Sequence, residues 1–134
     1  MKFSEAELTT LLRGVAQATL IAQSKDIRKG RLDIEQVWQD LGGYGRYEML
    51  EALSHRVLPA LVALPEVPRV HGERLKVRGS LLRVAVEETA GEEAGTGLRR
   101  KAYVVSMAAL LGAALAELPP YVDPERTVDP GLDS

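Results

Sequence analysis

The residues able to move protons, hold metals or attack a substrate are few in this chain, and they do not converge in sequence. There are two histidines, His55 and His71, and neither stands at a recognised ligand spacing, which argues against a histidine-based metal site. His55 reads as a surface group on the polar side of a helix, beside Arg56. No cysteine occurs, which excludes disulfides, thiolate nucleophiles and cysteine-ligated zinc. No serine lies in a Gly-x-Ser-x-Gly elbow, and Ser4 is better explained as a helix cap. The acidic pairs Glu87-Glu88 and Glu92-Glu93 are sequence neighbours. An acid–base pair needs carboxyls opposed across a substrate, so a solvated face is the better account of both. The expectation is a protein that is not an enzyme and takes no cofactor or metal.

Charge carries more information. The net charge is −2 over 134 residues, so the whole molecule has no general attraction for nucleic acid. The distribution is uneven, however: residues 69–83 hold five basic groups and one acid, residues 84–97 hold four acids and no base, and residues 117–134 hold five acids and one base. In the first block, Arg74, Lys76, Arg78 and Arg83 can form a basic binding face if they share one side of an element. A second cluster, Thr96, Arg99, Arg100 and Lys101, puts three cations in the first turn of the last helix. The helix dipole is positive there, and each exposed mismatch costs roughly 0.3–1 kcal/mol. Glu117 repeats the mismatch at the other end. An anion held by free backbone N–H groups and these cations would relieve the conflict. Acids of the preceding loop, Glu92 and Glu93, or those of a partner chain would do the same, and this is the simpler account. No Gly-Lys-Ser/Thr is present to make a Walker loop.

These groups depend on a scaffold that the pattern describes as mainly α. Ser4 and Glu7 have capping-box spacing, with Phe3 and Leu8 placed for a hydrophobic staple. Leu8, Leu11, Leu12 and Val15 follow helical spacing, predicting a helix over residues 5–24, in which Gly14 either weakens the helix or admits a close neighbour. Residues 25–31 read as a basic connector. Asp33 and Gln36 start a short helix with Ile34, Val37, Trp38 and Leu41 on its apolar stripe, stopped by Gly42-Gly43. A third helix over 46–58 should kink or end at Pro59. Residues 73–88 alternate polar and apolar around Gly79-Ser80, which suits a two-residue hairpin turn. That pairing puts Leu75 and Val77 opposite Val84 and Leu82, and gathers Arg74, Lys76, Arg78 and Arg83 on the other side. The rival is a helix starting at Ser80.

The last helix, over 98–118, is apolar on nearly every face from residue 102. That pattern predicts burial on all sides, with Ala108, Gly112 and Ala116 permitting close helix approach. In so small a chain, such burial calls for a second subunit. The expected architecture is therefore a bundle of about four helices with one β-hairpin, residues 73–88, inserted before the last helix. Residues 1–118 form a single domain and residues 119–134 an extended or disordered acidic arm.

The function that follows is a non-enzymatic protein–protein interaction or regulatory module. It would be oligomeric through the 102–118 helix and would present a basic hairpin face to an acidic surface. The alternative is a winged-helix-like DNA-binding regulator. In that reading residues 33–58 form a helix-turn-helix with Gly42–Gly45 as its turn, Tyr44, Arg46 and Tyr47 open the recognition helix, and the hairpin is the wing. Glu48 and Glu51 on the same helix oppose phosphate. The apolar stretch 102–116 is too short for a bilayer, which takes about 20 residues. With no cysteine and no basic-then-apolar leader, a cytoplasmic location is expected.

Overall fold

The computed structural model describes residues 1–126. Its first helix, α1 (Glu5–Gln23), starts as its sequence requires. The Ser4 hydroxyl accepts from the Glu7 backbone N–H at 3.1 Å, and the Glu7 carboxylate accepts from the Ser4 N–H at 3.1 Å, which closes the capping box. Leu11, Val15 and Ala16 are buried on one face of α1. At the far end Ser24 leaves the helix and its hydroxyl caps a single turn, α2 (Lys25–Arg28), inside the expected connector. Arg28 turns back to donate to the carbonyls of Ile21 and Ala22. The last carbonyls of α1 thus gain a cationic donor at the negative end of the helix.

Asp33 caps α3 (Ile34–Asp40), whose Trp38 is buried. The expected stop at Gly42-Gly43 is a change of direction instead. Leu41 alone separates α3 from α4 (Gly42–Ala63), and Gly42 takes φ +74° at the joint, a conformation that costs glycine little. There is accordingly no Gly42–Gly45 turn of a helix-turn-helix, because these glycines form the first turn of α4. Nor does α4 end at Pro59, which lies inside the helix. Pro59 and His55 are both on the exposed side, so the His55 carbonyl that loses its N–H partner lies on the solvent side of the helix, where water can replace the bond. Val57, Ala60 and Leu61 are buried beyond and around it. The Met1 ammonium closes this end of α4, donating to the Val62 and Leu64 carbonyls, while its side chain enters the core.

The hairpin is not present: no strand occurs among the described residues. The alternation from Glu73 to Arg78 does mark an extended segment, with Leu75 buried and Val77 packed on the core. From Gly79 the chain becomes a helix, α5 (Gly79–Thr89), that buries Leu82, Ala85 and Val86. Val84, which the hairpin required on the apolar side, is 53% exposed. A two-stranded ribbon without a third strand is marginal in water. The helix buries a full face instead, between α4 and α6 (Gly97–Ala116).

The four long helices close into a ring in which α1 packs on α6, α6 on α5, α5 on α4 and α4 on α1, while α2 and α3 rest against α1. The helix-bundle expectation therefore holds. The expectation that α6 is buried on all sides does not. Val104, Met107, Ala108, Leu111, Ala114 and Leu115 face the core, whereas Leu98 and Val105 are 85% and 51% exposed. After Pro119-Pro120, Tyr121 exchanges backbone bonds with the extended segment, Gly72 N–H to Tyr121 O at 2.8 Å and Tyr121 N–H to Glu73 O at 2.9 Å. The chain is thus held to the body at Tyr121 and then makes a short 3-10 turn over Pro124–Arg126; residues 127–134 of the expected arm lie outside the described residues.

Candidate interaction surface

The four cations expected on one ribbon face have separate positions. Arg74 donates to the carbonyls of Leu118 at 3.0 Å and Ala116 at 3.4 Å, so it caps the C-terminal end of α6. Lys76 and Arg78 are exposed on the extended segment. Arg83 lies on α5, and there it meets the second cluster. A groove of about 400 Å³ between α5 and α6 is lined by Arg83, Glu87, Gly97, Arg100, Lys101, Val104 and Val105. Its floor is apolar and its rim is largely cationic.

The expected anion site is divided in the same way. Successive helical residues point about 100° apart, so Arg99, Arg100 and Lys101 fan out. Arg100 turns inward: its Nε donates to the Glu87 carboxylate at 2.7 Å, and its terminal nitrogens reach the carbonyls of Glu87, Ala90, Gly91 and Gly95 at 3.2–3.5 Å. Its charge is met by Glu87 and by the negative end of α5. The acid is not Glu92 or Glu93, and this guanidinium is committed to the protein rather than to a bound anion. Thr96 occupies the N-cap position of α6 without a side-chain capping bond. The stem of Arg99 lies against Gly95 and its head is in solvent. Lys101 stands on the groove rim.

The expected recognition residues lie in the first two turns of α4. Arg46 donates to the Gln39 carbonyl at 3.0 Å and the Trp38 carbonyl at 3.3 Å, fastening α3 to α4, while Tyr44 and Tyr47 are exposed. With no strand among the described residues, there is no wing beside them. His55 sits 3.6 Å from Glu51 on the surface, and His71 accepts from the Asp123 N–H at 3.1 Å. No group of three potential metal ligands occurs among the described residues, and no helix among them is long and apolar enough to cross a membrane.

Two features were not singled out in the sequence. One is an ionic lock near the chain ends. Arg69 donates to Glu7 at 2.8 Å and lies 4.6 Å above the Tyr121 ring, and both charged side chains are largely buried. Burial pushes the Glu7 carboxyl up, but the Ser4 N–H and the Arg69 guanidinium together outweigh it and hold the group below its ordinary range. The second feature is the outward side of α6, where Leu98, Ala102, Val105, Ala109, Ala113 and Ala116 form an exposed apolar stripe at spacings of three and four. Opposite them lies the buried face, so the stripe points directly away from the core. Comparison with protein-family models, with curated proteins and with solved structures finds no match for this chain.

Proposed function

We propose that this chain is a non-enzymatic protein-interaction module that works through the outward face of α6, oriented by the cationic rim beside it. The observation that carries this reading is the exposed stripe. Small folded domains rarely leave a continuous line of apolar side chains in water unless something covers it, and Leu98 and Val105 are the large members left bare. The surroundings have the composition of a protein interface, with an apolar centre and charges at the margin. A cytoplasmic setting belongs to the same proposal and is supported by the cysteine-free chain.

Duplex DNA is the weaker reading. Arg46 and Arg74 are engaged with helix carbonyls, which leaves no basic ribbon to follow phosphates. The test is a photoreactive side chain placed at Val105 or Leu98 in living cells, with exposed Gln39 on α3 as control. Discrete protein adducts from the α6 positions and none from the control are expected. An absence of protein adducts from both α6 positions would remove the proposal.

A further inference from the structure

We infer that the occupant of the α6 stripe is the same stripe of a second copy, packed antiparallel about a two-fold axis. This inference rests on the interaction reading above and names its partner. The first argument is the order of side-chain sizes. Placing the axis near Met107 sets Leu98 opposite the partner subunit's Ala116, Val105 opposite the partner's Ala109, and Ala102 opposite the partner's Ala113. The two exposed large residues thus meet small ones, and the alanines allow the helices to approach to about 8–10 Å. A pattern that matches its own reverse is what an isologous contact requires.

The second argument is charge, and it is independent of the first. Arg99 and Glu117 are both exposed, and neither has an ion-pair partner among the described residues. They are eighteen residues apart, about five full turns, and so lie on the same flank of the stripe. A two-fold axis perpendicular to α6 preserves that flank, so each Arg99 faces the partner's Glu117, twice per dimer. Within one copy, Arg99 sits at the positive end of α6 and Glu117 at the negative end, both unfavourable. In the antiparallel pair each moves beside the opposite end of the partner helix, and both conflicts are relieved. A parallel pair, built about an axis along α6, would place this flank of the two copies on opposite sides of the contact, so that Arg99 would have no counter-charge across it.

The contact runs about 27 Å along the helix. One helix face per copy gives a total buried area on the order of 1,000 Å², at the low end for specific contacts. Self-association should therefore be weak, in the micromolar range or above, and strengthened at low salt.

Sedimentation of the full chain over a concentration series tests this. A monomer–dimer equilibrium is expected. Val105→Glu should abolish it while leaving the helical circular dichroism intact, since Val105 is already half in solvent. Glu117→Arg should weaken the dimer about tenfold, and combining it with Arg99→Glu should restore it. Because the chain has no cysteine, orientation can be read directly by mixing Ala102→Cys and Ala113→Cys chains under mild oxidation. The antiparallel register predicts mainly mixed disulfides, whereas a predominance of the Ala102→Cys homodimer would overturn the geometry. A strictly monomeric chain at all concentrations would overturn the inference. If photoreactive Val105 still captures a defined different protein in that case, the module reading stands and only the identity of its partner was wrong.

Discussion

The approach of α1 to α6 can be measured by moving one methyl group. A Cβ built on Gly14 would stand 3.1 Å from the Ala114 Cβ and 3.4 Å from its Cα. Replacing a mid-helix glycine with alanine ordinarily stabilises by about 1 kcal/mol. Here the neighbouring atoms belong to a helix backbone and its first carbon, which cannot rotate away, and overpacking of that kind costs about 1–3 kcal/mol. Gly14→Ala is therefore expected to destabilise by up to about 2 kcal/mol. Ala114→Gly alone loses about 1 kcal/mol of helix propensity and about 0.8 kcal/mol for a buried methyl. The double variant carries the methyl on the other helix, so propensities cancel and the clash disappears. Its stability should return close to that of the parent, giving a coupling of about 2 kcal/mol or more in a double-mutant cycle. Gly112→Ala is the contrast. Its new Cβ meets only the Leu82 Cδ1, at 3.3 Å, the tip of a side chain that can rotate, so a gain of about 0.5–1 kcal/mol is expected. Urea unfolding followed by far-ultraviolet circular dichroism reads all four variants, with an unchanged m-value as the control. If Gly14→Ala stabilises by the full propensity difference and the cycle is additive, the two helices do not meet as described.

Further predictions concern the charged side chains. Arg100→Lys should destabilise by about 1.5–3 kcal/mol, because a single ammonium cannot serve the Glu87 carboxylate and the loop carbonyls together; amide exchange in residues 90–97 should rise first. Glu7→Gln should lose stability at neutral pH. The Glu7 carboxyl is held below its ordinary 4.5, so its contribution is complete above that value and is lost as pH falls through the lower folded value. The urea midpoints of parent and variant should therefore converge in acid, and a gap that persists or widens there would contradict the lock. Lys76→Glu combined with Arg78→Glu should change stability by less than about 0.5 kcal/mol. Arg74→Ala should cost about 1 kcal/mol through the lost cap on α6, separating residues that a shared ribbon face would have made equivalent.

How much of this was legible in the sequence depended on whether the deciding contact was local. Ser4 and Glu7 lie three residues apart and satisfy each other, so their spacing was enough. Residues 80–88 carried two patterns at once. Leu82, Val84 and Val86 fit a strand, and Leu82, Ala85 and Val86 fit a helix. What separates them is whether Ala85 or Val84 is covered, and that is decided by α4 and α6, distant in sequence. The helix end expected at Pro59 fails for a related reason: the steric rule is local, but the penalty is small where the orphaned carbonyl lies on the solvent side. In α6 the uniform apolar run from residue 102 hid its own periodicity, since alanines serve a core face and a solvent face equally well. The clearest case is the cation cluster at its start. The conflict with the helix dipole was visible in sequence, but it is three separate problems. Arg100 is resolved by the C-terminal carbonyls of α5 and by Glu87, and Lys101 stays in water on the groove rim. Arg99 finds no counter-charge within the described part of its own copy, and neither does Glu117 on the same flank. Two opposite charges, each at the wrong end of one helix, are mutually satisfied only when a second such helix runs the other way. The antiparallel dimer thus accounts for the part of the mismatch that the monomer leaves standing.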